Sequence, residues 1–358
     1  MMKILFVANW RVKTYKEKPK NVQPSNYSVE DEPYWFFKHF KTSVKVDVLG
    51  IQNRRIIEKI EKKIHFHLFQ TFKVLKLVKK NNYDLIFVHG TDSAIFLCFL
   101  KRLFRLKIPP IVVVDISSFF HATRKGIVFK ICRFASKAIN HLIYHCSYQK
   151  EYFDSCFPKL KDKITFIPFG VDCELWNVQD EINEDYFVCA GYRKRDWGTL
   201  IKGFKNVNSK IELVLIGKTM EVDDSRVKCL PIVNIDKYNE LIRKALFSVI
   251  PLEDMNYSFG QMTLLQQLAA GKIIIVSDSH AVRDYIKEGT GIFVYKSGDE
   301  NDLKLKIQHV LSLDLKEIRV LGKDNYQYVK KYFSEEKMAK SIENICIKII
   351  GEGGDKNE

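Results

Sequence analysis

The chain has 358 residues, of which 46% are apolar, and its 58 Lys and Arg residues outnumber its 43 Asp and Glu residues. This length exceeds what one ordinary core needs, so we expect two domains, and the apolar content excludes a disordered chain. No apolar run reaches the roughly 18 residues of a membrane span, because the densest, residues 94–100, is followed by Lys101.

The basic excess belongs to the first half of the chain. Residues 1–178 contain 31 Lys and Arg against 15 Asp and Glu, a net charge of +16, whereas residues 179–358 carry a net charge of −1. Cations alternate with Phe, Ile and Leu in segments 53–80, 101–107 and 123–137. Such segments suit an anionic membrane surface, although solvated crossover helices have the same pattern. No nucleic acid is expected, because no recognised nucleic-acid-binding motif accompanies the charge.

The chain begins with a short apolar run before Trp10, which is typical of a buried strand and too short for a signal peptide. The eight cysteines occur singly, with no CxxC pair. This pattern is typical of a reduced protein and argues against a zinc site. We therefore expect a cytoplasmic protein, peripheral to the inner face of the membrane.

Six short apolar runs alternate with helical patterns in the first half of the chain: 3–8, 44–50, 84–90, 110–117, 141–147 and 163–170. Their continuous hydrophobicity indicates strands covered on both faces, as in a parallel sheet with crossover helices. Residues 11–34 form a long polar loop after the first strand, where such folds place ligand contacts.

The second half repeats this rhythm with runs at 186–192, 210–218, 226–233, 247–252, 272–278 and 291–295. We therefore predict an α/β protein with two tandem Rossmann-like, doubly wound parallel-sheet domains, 1–178 and 179–335. The acidic segment 170–185 lacks periodicity, and we place the hinge there. A helix over 336–350 is expected to pack back toward the N-terminal domain, and residues 351–358 are expected to be disordered.

The segment SFGQMTLLQQLAAGKIIIVSD (258–278) predicts a loop, a helix near 261–270, a stop at Gly271 and a strand. Gly260 permits close backbone approach, and the amides of Gln261, Met262 and Thr263 lie at the positive end of the helix dipole. This geometry suits a phosphate, although glycine-led helices without ligands are common. We assign the core face to Met262, Leu265, Leu268 and Ala269, and we place Gln266 one turn on, beside the helix N-terminus.

Together these segments resemble the retaining nucleotide-sugar glycosyltransferases of family 4, which have the GT-B fold with two domains facing a cleft. The resemblance covers residue 3 to about 335 and rests on IPFGVD (167–172), FVCAGYRKRDWGTLIKGF (187–204), the segment 240–252 and FGQMTLLQQLAAGKIIIVSD. IPFGVD differs from the family's I-P-N-G-V-D at Phe169. HLIYHCS (141–147) is similar to a family strand that ends on serine.

The resemblance implies a site for the donor diphosphate. Gly191 matches the family glycine, Arg195 stands where the family has a lysine, and either Arg193 or Lys194 would be the second cation. The family has an E-x7-E segment, and its two glutamates are replaced here by Ser258 and Gln266. Both carboxylates are absent, and a glutamine amide binds ribose hydroxyls more weakly than a carboxylate does.

The resemblance also implies that the N-terminal domain binds the acceptor. Residues at the ends of predicted strands are our candidates: Asn9 and Trp10 on the acceptor side, and His89 and Asp115 as catalytic residues, each with a structural role as the alternative. The implied reaction transfers a sugar, with retention, from a UDP- or GDP-linked donor to a glycolipid or surface-polysaccharide precursor. No cofactor and no metal are expected.

Two other functions fit the same chain. One is a GT-B-fold sugar-nucleotide epimerase, against which the missing carboxylates argue mildly. The other is a catalytically inactive basic binding protein, favoured by the charge and by the loss of both glutamates.

Overall fold

The computed structural model describes residues 1–20, 22–51, 61, 66–116, 124–176, 182, 185–191, 194–255, 257–287 and 289–354. The chain divides into two compact units. Unit 1 comprises Met1–Pro168 together with the residues from Met338 onward, and unit 2 comprises Phe169–Lys337. No helix within the described residues is long and apolar enough to cross a membrane.

Unit 1 is built on a six-stranded parallel sheet, in the order β4-β1-β5-β6-β7-β8. Its strands are β1 (Met2–Ala8), β4 (Val44–Leu49), β5 (Leu85–His89), β6 (Ile111–Asp115), β7 (His141–Tyr144) and β8 (Ile164–Phe166), with a separate pair β2 (Lys13–Tyr15) and β3 (Tyr27–Val29). Every residue of β5, β6 and β7 is buried, which explains why their sequences are apolar except at one terminal residue each, His89, Asp115 and His141.

Helices and 3-10 turns connect the strands of unit 1. Between described strands, the α-helices are α1 (Leu68–Lys80), α2 (Thr91–Leu103), α3 (Ile127–Ala135) and α4 (Gln149–Cys156). The 3-10 turns are Pro24–Asn26, Trp35–His39, Ser136–Ala138 and Pro158–Lys163. One core cluster packs these four helices against the sheet, and each helix contributes one of the buried residues Val74, Leu97, Cys132 and Phe153.

Unit 2 repeats the architecture with a parallel sheet in the order β11-β10-β9-β12-β13-β14. The strands are β9 (Tyr186–Ala190), β10 (Glu212–Ile216), β11 (Val227–Leu230), β12 (Ser248–Ile250), β13 (Ile274–Ser277) and β14 (Ile292–Tyr295). The helices are α5 (Cys173–Trp176), α6 (Trp197–Lys205), α7 (Ile235–Lys244), α8 (Gln261–Ala269), α9 (Glu300–Leu311) and α10 (Leu315–Tyr332), with a 3-10 turn at Arg283–Tyr285. The predicted fold class of two tandem parallel-sheet α/β domains is confirmed.

The boundary between the units differs from the predicted one. We placed it at 178/179, within a polar hinge at 170–185, but the structure divides at Pro168/Phe169. The reason is that Val171, Cys173 and Trp176 are buried in the core of unit 2. Residues 177–181 and 183–184 of the predicted hinge lie outside the described residues.

The last helix, α11 (Glu335–Gly354), passes into unit 1 at Met338. Within unit 1, Glu343 accepts hydrogen bonds from the backbone N–H groups of Lys41, at 3.1 Å, and Thr42, at 2.7 Å. The sequence predicts a helix over 336–350 and disorder from 351. The helix instead continues to Gly354, and residues 355–358 lie outside the described residues.

Candidate functional site

Helix α8 begins at the carboxyl end of β12, as the sequence predicts. Its N-cap, Gly260, has a left-handed backbone with φ 81°. A Cβ atom there would lie 2.9 Å from Leu252, so only glycine fits without strain. The first backbone hydrogen bond of the helix runs from Leu264 N–H to Gly260 C=O. The N–H groups of residues 261–263 therefore precede the helical ladder and lie at the positive end of its dipole.

Arg195 joins this helix end to β9. Its Nε donates to the carbonyl of Ala190 at 3.2 Å, and its Nη2 donates to Thr263 Oγ1 at 3.1 Å. The side chain is buried, and burial lowers the pKa of the guanidinium from its usual value. Gly191 has no room for a side chain, because a Cβ atom there would lie 2.5 Å from Arg195 Nη2. The predicted cation therefore lies against the first turn of the predicted helix.

The other predicted donor-side residues lie around this helix. Gln266 is buried in α8, and Ser258 is half-buried in the loop before it. The side chain of Gln261 donates to the carbonyl of Ala281 at 2.6 Å, which leaves its backbone N–H at the helix end. Lys194 lies 3.4 Å from Glu253 in an ion pair, and Arg193 lies outside the described residues.

The prediction that Met262 lies on the core face of α8 is wrong. Its side chain is 44% exposed, whereas Leu265, Leu268 and Ala269 are buried as predicted. The buried stripe is centred on residues 261, 264, 265 and 268, which have the spacing of one helix face. Met262 lies beside that stripe in the first turn, so its side chain faces solvent.

The predicted residues of unit 1 meet at the carboxyl edge of its sheet. Adjacent strands β1 and β5 place Ala8 opposite His89, and Asn9 N–H donates to the carbonyl of His89 at 3.2 Å. The ring of Trp10 lies 4.8 Å from the ring of His89, centroid to centroid. Asn9 Nδ2 also donates to Asp92 at 3.3 Å, which ties it to the start of α2.

His89 is a buried, neutral imidazole. Burial, with a smaller contribution from the charge of His145, lowers its pKa to about 3. Its Nδ1 atom has no hydrogen-bond partner among the described residues. A neutral imidazole beside a half-exposed tryptophan is able to accept or donate one hydrogen bond at this edge.

Asp115 ends β6 and is fully buried. Its carboxylate accepts hydrogen bonds from Thr91 Oγ1 at 2.9 Å and from Gln149 Nε2 at 2.8 Å. These bonds join the ends of β5 and β7 to β6 through the first residues of α2 and α4. A buried carboxylate with these partners holds the edge of the sheet in place. This is the structural role that we gave as the alternative to catalysis for Asp115.

Two family models match the chain. Residues 30–175 match the model described as Glycosyltransferase Family 4, and residues 185–313 match the model described as Glycosyl transferases group 1. The chain belongs to the glycosyltransferases that these two models describe. A comparison with curated proteins gives no match.

Solved structures share the fold of this glycosyltransferase. HepE from Anabaena, in complex with UDP and glucose, is 14% identical, with a TM-score of 0.67 over 96% of this chain and 99% of that one. Sucrose-phosphate synthase from Thermosynechococcus elongatus is 14% identical, with a TM-score of 0.68 over 98% and 100%. A glycosyltransferase from Rickettsia africae is 14% identical, with a TM-score of 0.65 over 98% of each chain. At these identities the similarity concerns the fold, which is GT-B.

One aromatic residue at the unit 1 edge of the glycosyltransferase was not predicted from the sequence. Trp35 is half-buried, and its ring lies 5.8 Å from that of Trp10 and 5.7 Å from that of His89. Its backbone has φ 46°, an unusual value for a bulky residue, which costs roughly 1–3 kcal/mol and tends to occur at functional sites. The aromatic run at 34–37 was the available signal, but the backbone conformation could not be predicted from it.

The described residues of the glycosyltransferase contain no group of three or more His, Cys, Asp or Glu side chains that could hold a metal ion.

Proposed function

We propose that the protein transfers a sugar from a nucleoside-diphosphate sugar, UDP- or GDP-linked, and that the diphosphate binds at the N-terminus of α8. The observation that carries this proposal is the hydrogen bond between Arg195 and Thr263, which places a buried guanidinium beside the free amides of the helix. Both groups attract an anion, and together they suit a diphosphate. HepE, which shares the fold, is described in complex with UDP-glucose.

The same geometry supports the chemistry. Negative charge grows on the departing diphosphate while the sugar becomes oxocarbenium-like, so fixed dipoles and a cation directed at that charge stabilise the transition state more than the ground state. Arg195, Gly260 and the amides of residues 261–263 supply this stabilisation from the protein. No metal ion enters the proposal, as the family resemblance implies.

Our acceptor proposal is a glycolipid or surface-polysaccharide precursor, bound at the unit 1 edge by Asn9 and Trp10. His89 is the candidate that touches the acceptor, because its neutral ring lies against Trp10. We further propose transfer with retention and peripheral contact of unit 1 with an anionic membrane. These steps extend the family resemblance and the charge of residues 1–178.

A thermal-shift panel tests the donor site. Uridine, UMP, UDP and UDP-glucose form one series, and the guanosine compounds form another. A ligand present at 100 times its Kd stabilises the native state by about 2.7 kcal/mol. We expect diphosphates of one base to raise the melting temperature more than the monophosphate does, with EDTA and with MgCl2 alike. Equal shifts from uridine and UDP would exclude a diphosphate site at Arg195.

Product analysis then separates the alternatives. Release of free UDP or GDP with a glycosylated product supports transfer, and a new sugar-nucleotide without release of diphosphate supports the epimerase. Binding without either product supports the inactive binding protein, which the absence of carboxylates at Ser258 and Gln266 favours.

A further inference from the structure

Three crossover helices of unit 1 share an unusual composition. Helices α1, α2 and α3 together contain eight Lys and Arg residues and a single carboxylate, Asp92. That carboxylate lies in the first turn of α2, where it accepts a hydrogen bond from Asn9. We refer to the outer surface of α1, α2 and α3 as the helical face. Apart from Asp92 at one end, the described helices place no acidic side chain on it.

A line of aromatic rings crosses the helical face. Phe72 of α1 lies 6.2 Å from Phe96 of α2, Phe96 lies 6.4 Å from Phe99, and Phe99 lies 5.5 Å from Phe134 of α3, centroid to centroid. Phe96, Phe99 and Phe134 are half-buried, and Phe72 is 57% exposed. The three helices therefore present one continuous apolar strip between their cations.

Further apolar side chains extend outward around this strip. Of the 16 large hydrophobic side chains exposed in the described part of the chain, six belong to these helices or follow them directly: Phe69, Phe72, Leu103, Phe104, Ile127 and Val128. Their concentration on one surface, interspersed with cations, marks an interaction site rather than scattered surface residues.

A cavity of about 310 Å³ lies at the C-terminal end of α3. Lys130, Arg133, Lys137 and Lys159 line it, together with the ring of Phe157. All four cations are exposed, and none forms an ion pair with any described residue. Four cations around an apolar floor suit a ligand that joins a phosphate to hydrocarbon.

We propose that the helical face lies on a bilayer of anionic phospholipid and that the cavity at α3 takes a lipid headgroup phosphate. The assignment rests on the membrane contact proposed above and gives that contact a location. Each cation near the headgroups attracts the surface, and the exposed Phe, Leu, Ile and Val side chains enter the boundary of the acyl chains.

The apolar side chains favour a membrane over a nucleic acid. Single-stranded nucleic acid binds aromatic rings whose faces are open to stack on bases. Here the rings contact one another, as in the edge-on packing of Phe72 against Phe96 at 73° and of Phe99 against Phe134 at 60°. The most exposed large hydrophobic side chain of α3 is Ile127, at 71%, and an aliphatic group gains more from hydrocarbon than from a base.

Vesicle sedimentation tests the proposal. The full chain is mixed with phosphatidylcholine vesicles and with equimolar phosphatidylcholine and phosphatidylglycerol vesicles. We expect pelleting with the acidic vesicles only. The triple variant Lys130→Glu, Arg133→Glu and Lys137→Glu should partition at least about tenfold more weakly, because it reverses three cations at the surface. Phe72→Ser with Phe104→Ser should abolish the part of the binding that survives high salt, since salt screens only the charges.

The matched control is Lys13→Glu, Lys16→Glu and Lys18→Glu, which makes the same charge change at exposed positions of unit 1 that belong to none of the helices α1, α2 and α3. It should pellet like the wild type, and an unchanged melting temperature shows that each variant is folded. Equal losses of vesicle binding in both triple variants would mean that net charge alone causes the binding. Stronger binding to polyuridine than to acidic vesicles would mean that the helical face binds nucleic acid. Either result overturns the assignment. If the protein pellets with acidic vesicles but releases no nucleotide from any donor, the result counts against sugar transfer and still supports membrane binding by the helical face.

Discussion

The guanidinium of Arg195 joins two elements of unit 2. It holds the carbonyl of Ala190 at the end of β9 and the hydroxyl of Thr263 in the first turn of α8. Both of these partners are uncharged, and the second lies in the first turn of the helix whose N-terminus we propose to bind the diphosphate. Because the side chain is buried, its field is screened less than that of a surface cation. Its removal should therefore affect both the ground state and the transition state of the donor complex.

We expect Arg195→Ala to raise the donor KM and to lower kcat, with kcat/KM falling roughly 100- to 1000-fold, as for the loss of one preorganised oxyanion donor. Steady-state kinetics measure both constants. Arg195→Lys, which keeps a charge but not the fork of donors, should recover part of kcat.

Arg226→Ala is the matched control for Arg195→Ala. Arg226 also belongs to unit 2 and donates to Asp224 and to the carbonyls of Val207 and Ser209. Its loss should lower the melting temperature and leave the donor KM unchanged. Wild-type kinetics in Arg195→Ala would contradict the diphosphate assignment.

At the scale of an element, the start of α8 depends on the backbone of Gly260. Two costs oppose a side chain there: a left-handed φ of +81° and a Cβ contact of 2.9 Å with Leu252. Gly298 allows the two costs to be measured separately, because it has a φ of +78° but nothing within 4 Å of its Cβ position. Both positions have similar φ values, so the difference between their alanine variants reports the contact with Leu252.

We expect Gly298→Ala to lower the free energy of unfolding by about 1 kcal/mol, the usual cost of the left-handed conformation. Gly260→Ala should lower it further and should also reduce the thermal shift produced by the nucleoside diphosphate, since the helix end must move. Chemical denaturation and the nucleotide panel measure the two effects. If both variants behave alike and nucleotide binding is unaffected, the helix N-terminus does not bind the donor.

Elements with uninterrupted apolar runs could be predicted from the sequence. Strands such as β5 and β6 are buried along their whole length, and the first four of the five residues in each are apolar. The order of a strand, Gly260 and a helix likewise predicted α8, and family spacing located Arg195. The buried face of α8 was placed one residue off at Met262, because the first turn of a helix contains too few residues to fix a face.

Features that depend on tertiary contacts could not be predicted. The unit boundary at Pro168 follows from the burial of Val171, Cys173 and Trp176, whereas the local sequence is polar. The positive φ of Trp35 leaves no sequence signal, because glycine and asparagine are the usual residues there. Nor could the burial of Asp115 be predicted, since its partners Thr91 and Gln149 are distant in the chain.

At the scale of the whole molecule, the described residues of unit 1 include three buried histidines. Burial, with smaller charge effects for His89 and His141, lowers their pKa values to about 3 for His89 and about 4 for His141 and His145. All three lie at the strands or strand ends of one sheet. In the unfolded chain their pKa values return to about 6.5. The folded state must therefore keep three imidazoles neutral at a pH where the unfolded state protonates them.

The sign of the resulting pH dependence follows from proton binding. As the pH falls below 6.5, the unfolded state binds protons that the folded state does not, so stability falls by about 1.4 kcal/mol per pH unit for each histidine until the folded pKa is reached. His67 acts in the opposite direction: burial works to lower its pKa, but hydrogen bonds and charges of Asp92 and Glu61 raise it overall. This stabilisation by His67 is nearly complete once the pH has fallen to the unfolded value of about 6.5, so below that pH the three lowered pKa values set the slope and stability falls toward acid.

We expect the melting temperature to fall between pH 6.5 and 5, a range in which carboxylates with lowered pKa values, such as those of Asp224 and Glu343, remain mostly ionised in both states. His141→Gln should reduce this slope by about a third, because the amide can keep the 2.9 Å contact with Thr165 Oγ1 but cannot be protonated in the unfolded state. The exposed His309→Gln serves as control and should leave the slope unchanged. An equal slope in the wild type and in His141→Gln would show that the burial of this imidazole does not set the acid stability of unit 1.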